Sequence, residues 1–488
     1  MGKVRKTLTL VIIWTMFASA FAVSEAEASV PYEGYNYSYW EKAEPSAIPY
    51  IPETIIDGRQ TDYGLLNSPE DVFVAWDNKI YIADSGNHRI VVLDENFNHI
   101  KTIDHFMNDG AVDTFNYPES VFVTEEGNLY VADTNNQRLI ELTNDGEFIR
   151  EIGRPVSDQI TTNFEYYPTK VAVDKAGRIY VIGRGVYDGI IEFDPDGNFK
   201  GFTGATRVTF DFIDYIWKRI STDEQRARME LFIPIEFNSL DLDEEGFIYT
   251  TNAELNTKTP IQRLNPTGTD VLRREGYHEV VGDLVYTFTG DNAGSSTFVD
   301  IAVNEYGMYT VLDSRKGRIF TYDEDGNLLY VFGKLGNQIG TFRTPVALDY
   351  LNEKIVVLDK QFNRLTVFTP TLFGEYVNKA VMYYNLGNDE LSAQYWEKVL
   401  ELDSNYEIAY IGIGKALLME GKNKEAMKYF KNGHNRLYYS KAFKRYRKDV
   451  LRDNFGLIAG TVIGIPILYM GIRVAIKLRK RRSEAYAK

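Results

Sequence analysis

The chain has 488 residues, 44% of them hydrophobic, with 69 acidic against 54 basic side chains and a formal net charge of −15. That apolar content supports a large folded core and excludes a disordered chain, and the acidity argues against nucleic acid as a partner. Cysteine is absent, which excludes disulfides, thiolate metal sites, cysteine nucleophiles and a lipid-bearing cysteine, and fits a bacterial envelope better than a eukaryotic secretory route.

The chain opens with Lys3, Arg5 and Lys6, an apolar run LTLVIIWTMFASAFA, and small-residue sites at Ala20-Phe21-Ala22 and Ala26-Glu27-Ala28. Residues 1–28 read as an export signal, with cleavage after Ala22 or after Ala28. An isolated extended stretch, Ile48 to Asp57, follows, and then a phrase that recurs. LNSPEDVFVAWDNKIYIADSGNHRI starts at Leu66 and FNYPESVFVTEEGNLYVADTNNQRL at Phe115, so that Pro69 and Pro118, Asp84 and Asp133, and Arg89 and Arg138 are each 49 residues apart. Each copy holds a first strand (Val72 to Val74, Val121 to Val123), a turn such as Glu125 to Asn128 into a second strand, and two further strands. Four strands at such a period mark a β-propeller blade.

Copies begin near Glu70, Glu119, Thr169, Asn238, Val299 and Val346, which predicts six blades over residues 46–371. The last copy ends at Phe368 to Thr371 after three strands. The stretch from Ile48 to Asp57 therefore supplies its fourth strand and closes the ring, removing two sheet edges.

The repeated words resemble the NHL family of propellers, whose blades carry Asp-x-x-Asn-x-Arg after the second strand. The element is complete in Asp84, Asn87, Arg89 and in Asp133, Asn136, Arg138. Only its ends persist in Asp313, Arg318 and Asp359, Arg364, and blade three departs at Gly183 to Gly189. The resemblance implies the fold, while function stays open, because such propellers serve as binding platforms, lactonases and lyases alike. An element copied around a ring is read here as part of what makes a blade.

Between blades three and four the spacing from Asp174 to Asp243 is 69 residues. The surplus, about 206–236, carries a capping box at Ser221 and Glu224, preceded by Phe210, Phe212, Tyr215 and Trp217. Two readings stand: a lid or docking element whose Phe212, Tyr215 and Trp217 meet a partner, or a helix packed against the propeller side with its aromatics buried.

From Phe373 the pattern turns helical. Gly387 and Gly421 lie 34 residues apart, Tyr395 matches Tyr429 and Trp396 matches Phe430. Residues 373–435 resemble tetratricopeptide repeats of that period. The predicted fold class is thus mainly β: a six-bladed β-propeller, then a small α-helical tetratricopeptide-like module and one transmembrane helix. A basic juxtamembrane helix (436–453) precedes the apolar span 455–476, in which only Arg473 is charged, and a basic tail (477–488). Arg436 to Lys488 carries a net +11, leaving −26 for the rest. With the export signal, this places propeller and helical repeats outside a cell membrane crossed once and the tail in the cytoplasm, with the basic helix against anionic headgroups. Gly456, Gly460 and Gly464 recur every four residues, a spacing that lets a second copy approach and form a homodimer.

No HExxH, phosphate-cradling glycine loop or GxSxG occurs. Asp241-Leu-Asp243-Glu-Glu245-Gly246 imitates the start of a calcium loop but lacks the glutamate at the twelfth position. It is read as a turn. The histidines, His88, His99, His105, His278 and His434, are scattered. No catalytic, cofactor-binding or metal-binding residue is assigned and no cofactor is expected, calcium being the one ion left open. The expected function is a binding, scaffold or sensor protein recognising a protein partner at the membrane or a carbohydrate ligand. The alternative is a gluconolactonase-like propeller lactonase, a metal-dependent hydrolase, or another carbohydrate-active enzyme, which would gather a Glu or Asp and two or more Asn or His at one channel mouth.

Overall fold

Six antiparallel sheets stand around a central channel in the computed structural model, which describes residues 30–59, 61–157, 164–204, 236–252, 254, 257–284 and 294–486. The predicted export signal and the insertion with Phe212, Tyr215 and Trp217 lie outside the described residues. Blade 1 runs outward through Asp71–Val74, Ile80–Asp84, Arg89–Leu93 and His99–Ile103, each strand pairing with the next. Blades 2 (Pro118–Val123 to Phe148–Ile152), 3 (Pro168–Val173 to Phe199–Thr203) and 5 (Phe298–Val303 to Leu328–Phe332) repeat this order. The first strands neighbour one another around the ring and so form the channel wall. The second strands of blades 1 to 5, such as Leu129–Asp133, are buried along their whole length, and that of blade 6 is buried beyond Lys354, because both faces meet a neighbouring blade.

Blade 4 differs from the expected pattern. It keeps Phe237–Leu242, Ile248–Asn252 and Ile261–Leu264, but its outer strand shrinks to a single bridge between Leu264 and Asp270. The Asp270 carboxylate accepts from the backbone N–H of Arg263 and Leu272 (3.2 and 3.0 Å), which bends the chain away from the ladder.

Blade 6 joins the two ends of the propeller. Its strands Pro345–Leu351, Lys354–Asp359 and Arg364–Pro370 are completed by Tyr50–Ile56, antiparallel to Arg364–Pro370. A hairpin of Gly34–Tyr37 and Ala43–Ser46 extends blade 5 through Tyr35, opposite Val331. The sequence reading did not anticipate it.

Six helices follow: α1 (Leu372–Asn385), α2 (Asp389–Leu402), α3 (Glu407–Met419), α4 (Asn423–Asn432), α5 (Arg436–Asp453) and α6 (Phe455–Tyr486). Thr371 caps α1 by accepting from Gly374 N–H, and consecutive helices up to α5 pack as hairpins. Close approach is required there. A Cβ at Gly414 would lie 2.7 Å from the Phe430 ring, and one at Gly412 would lie 2.1 Å from Trp396 Nε1. The helices share a core with the propeller: Phe373, Val377, Trp396 and Tyr406 bury against Tyr50, Leu329 and Phe332, and the Tyr406 hydroxyl donates to the Leu329 carbonyl at 2.6 Å.

Helix α6 contains the one stretch among the described residues long and apolar enough to cross a membrane, Phe455–Ser483. At 1.5 Å per residue, its apolar part spans about 33 Å, close to the hydrocarbon thickness of a bilayer. Gly456, Gly460 and Gly464 share one open face of it, with no atom within 4 Å of a Cβ built at any of them.

Candidate functional site

The first strands run from one mouth of the channel to the other, and their equivalent positions define two tiers. In the first tier stand Asp71, Ser120, Lys170, Ser239, Asp300 and Ala347. Two residues further along stand Phe73, Phe122, Ala172, Asp241, Ala302 and Asp349.

The first tier is a closed ionic cluster. Lys170 Nζ donates to Asp71 Oδ1 at 2.7 Å and to Asp300 Oδ1 at 3.0 Å, and Ser239 Oγ donates to Asp300 Oδ1 at 2.5 Å. The remaining oxygens staple adjacent blades: Asp71 Oδ2 accepts from Val121 N–H (3.2 Å) and Asp300 Oδ2 from Leu348 N–H (2.8 Å). Burial raises the Asp71 pKa against the pull of Lys170. Lys170, opposed by burial but facing both carboxylates, is held ionised well above its usual range.

The second tier opens into a cavity of about 340 Å³ at the end of the channel. Phe73 and Phe122, 4.8 Å apart between ring centroids, form one wall, and Trp76 stands at the rim with 68% of its surface exposed. Asp241 and Asp349 also line it. Asp241 Oδ2 accepts from Val303 N–H and Asp349 Oδ2 from Val74 N–H, at 2.8 and 2.6 Å, the same blade-to-blade staple as below. Their other oxygens accept only from the next residue, Leu242 N–H (2.8 Å) and Tyr350 N–H (2.7 Å). Among the described residues no side-chain donor reaches either carboxylate. Burial pushes Asp241 up to about 6. Asp349 is held well above the usual carboxylate range, by burial first and by Asp241 second. Two carboxylates sharing a cavity with little compensation hold protons tightly and gain most from an incoming cation. At the rim Lys175 bridges Glu244 (2.5 Å) and Glu125 (3.3 Å).

The calcium-like string does not converge on one point. Asp241 enters the channel, whereas Asp243 holds its own turn through Glu245 and Phe247 N–H (3.0 and 2.9 Å) and pairs with Arg263 at 2.6 Å. The histidines are dispersed too: His99 meets Thr102, His105 meets Asp104, His278 meets Ser38, His88 meets Tyr117 and His434 meets Glu407. Among the described residues no group of three His, Cys, Asp or Glu is placed to hold a metal, and the described cavity lining holds no Asn or His.

The repeated Asp, Asn and Arg lie at the opposite face, where second strands end. Asp84 Oδ2 accepts from Arg89 Nε (2.7 Å) and Asn87 Nδ2 (2.8 Å), and its Oδ1 from Asn67 N–H (2.7 Å) in the loop entering the blade. Asp133 repeats this with Arg138 (2.9 Å), Asn136 (2.8 Å) and Asn116 (2.7 Å). Arg138 additionally grips Asp113 with both terminal nitrogens (2.8 and 2.9 Å) and holds that carboxyl down at about 2. In blades 5 and 6 the element loses its inner bond. Arg318 turns to Asp283 (2.7 Å) and leaves Asp313 Oδ2 without a hydrogen-bond partner among the described residues. Burial then pushes Asp313 up to about 6. Arg364 donates to the Thr341 carbonyl (2.9 Å) rather than to Asp359. Both blades lack the Asn that helps fix the carboxylate.

Arg138→Ala is expected to cost about 1–3 kcal/mol, since it strips a fully buried Asp133 of its charged donor, and Arg89→Ala less, because Arg89 has fewer partners. Ligand binding at the far mouth should not change. Denaturant midpoints measured beside binding assays check this.

Sequence reasoning missed the cavity, although the signal was present. Aligning the middle residue of each first strand gives Phe73, Phe122, Ala172, Asp241, Ala302 and Asp349, and two carboxylates in an otherwise apolar column mark a special position.

The NHL repeat profile matches residues 66–93 and 115–141, the parts of blades 1 and 2 where the Asp-x-x-Asn-x-Arg element is complete. No curated protein matches the chain. Among solved structures, virginiamycin B lyase from Staphylococcus aureus is 10% identical, covering 65% of this chain and 98% of its own, with a TM-score of 0.39. A streptogramin B lyase is 12% identical, covering 66% and 97%, with a TM-score of 0.38. A protein of unknown function from Bacteroides thetaiotaomicron is 13% identical, covering 70% and 76%, with a TM-score of 0.43. The chain is thus a six-bladed β-propeller with NHL-repeat matches in blades 1 and 2, followed by a helical region.

Proposed function

We propose that the chain is a membrane-anchored, extracytoplasmic binding or sensor protein whose ligand enters the channel mouth at Phe73, Trp76, Phe122, Asp241 and Asp349. The observation that carries this reading is the 340 Å³ cavity, which combines an aromatic wall with a few converging polar groups, the usual composition of a ligand site. The partner is a protein at the membrane or a carbohydrate that presents a small group to the cavity. The export signal would direct the propeller across the membrane and α6 would hold it at the outer face. The tetratricopeptide-like hairpins, fused to blades 5 and 6 through a common core, offer a second recognition surface, and the glycine face of α6 a contact for a second copy.

Capture from native membranes by the full-length protein tests the reading. Trp76→Ala is expected to lower capture at least about tenfold, a loss of about 1.4 kcal/mol, with little change in thermal stability, because Trp76 is largely exposed. Undiminished capture would overturn it.

One observation favours a second reading, a lactonase-type hydrolase: paired carboxylates with raised proton affinity suit general acid–base work. Hydrolysis of a sugar lactone that is lost in Asp349→Asn would promote it.

A further inference from the structure

The two tiers of the channel carry one pattern, rotated by one blade. In the first tier Asp300, Ala347 and Asp71 occupy blades 5, 6 and 1, with Lys170 on blade 3 across the channel. In the second tier Asp241, Ala302 and Asp349 occupy blades 4, 5 and 6, and the position across from them, on blade 2, holds Phe122. All four carboxylates clamp the backbone N–H of the following blade with one oxygen. The tiers differ in the cation. Below, Lys170 sets its ammonium between the two carboxylates. Above, an aromatic ring stands where the lysine would be, and a cavity opens to solvent.

We infer that the second tier binds an alkyl ammonium group supplied by the ligand, seated between Asp241 and Asp349 as Lys170 sits between Asp71 and Asp300. This inference rests on the reading of the mouth as a binding site. The Phe73 and Phe122 rings would cover an aliphatic stem and face the cation, and the two carboxylates would give charge-assisted hydrogen bonds. Further out, Glu125 and Glu244 hold Lys175, so the rim favours a cationic ligand over an anionic one. The same chemistry is offered by a free diamine and by a lysine side chain of a partner protein.

Calorimetric titration of the full chain in detergent micelles with 1,5-diaminopentane, and with the neutral isostere 1,5-pentanediol, tests the inference. The diamine is expected to bind and the diol not to. Asp241→Asn with Asp349→Asn should weaken the diamine at least about tenfold, since two charge-assisted bonds become neutral ones. Phe122→Lys gives a second measure: it supplies the ammonium from within, and should abolish diamine binding while keeping a cooperative melt. A short peptide ending in lysine, titrated in parallel, separates the two sources; binding of either probe supports the inference. Equal binding of diol and diamine, binding unaffected in the double variant, or stoichiometric calcium that displaces the diamine would each overturn it. If neither amine binds while Trp76-dependent capture from membranes persists, the mouth remains a binding site and the ammonium assignment falls.

Discussion

Deleting Ser46 to Asp57 is expected to abolish cooperative unfolding of the propeller rather than to trim an end. Tyr50–Ile56 is the outer strand of blade 6, and without it Arg364–Pro370 becomes an open edge that invites pairing with other chains. The loss also reaches the helices. Tyr50 is fully buried, its ring stacks on Phe332 at 5.2 Å, and its hydroxyl accepts from Asn378 of α1 at 2.9 Å. The Thr371 N–H that opens α1 donates to the Pro49 carbonyl at 2.9 Å. One strand therefore holds both the ring closure and the seam to α1. Tyr50→Ala alone should cost about 3–5 kcal/mol, the range for removing a large buried aromatic. Denaturant unfolding of both variants gives the measurement. A deletion that melts as the parent does would show that the strand is dispensable.

Lys170→Met is expected to be the most damaging single substitution inside the channel. The Asp71 and Asp300 side chains are only 3% and 2% exposed, and without Lys170 two buried like charges face each other. Removing one partner from such a cluster costs about 3–5 kcal/mol. Adding Asp71→Asn and Asp300→Asn to Lys170→Met should recover much of that loss, because the triple variant leaves no uncompensated charge. The deficit of the single variant should also shrink on acidification. Burial already raises Asp71, and without the lysine its folded state holds the proton still more tightly than the unfolded chain. Stability then increases as pH falls through the carboxylate range. Equal destabilisation of the single and triple variants, with no recovery at low pH, would mean that the cluster is held by packing and not by charge.

Much of the architecture was legible because the signals are local. A period of 49 residues between Asp84 and Asp133, alternation within each strand and turn residues at fixed offsets imply a blade wherever they recur. The three-stranded last copy required an outside strand, and Tyr50–Ile56 stands there. Less legible was each local departure. The hairpin at Gly34–Ser46 belongs to no repeat, blade 4 loses its outer strand to the Asp270 turn, and Arg318 abandons Asp313 for Asp283, which lies far from the repeated words.

The candidate site lay beyond local reading. Lys170 is 99 residues from Asp71 and 130 from Asp300, and Asp241 and Asp349 share a cavity only because blades 4 and 6 flank blade 5 in the closed ring. Strand periodicity states which residues share a face of one sheet, and by itself the sequence determined the blades, their number and their closure. Ring curvature decides which residues of different blades meet across the channel, and so which carboxylates are neutralised by a lysine and which accept from backbone N–H groups alone. Those terms depend on dielectric and distance between groups remote in the chain, so only the tertiary structure fixed them.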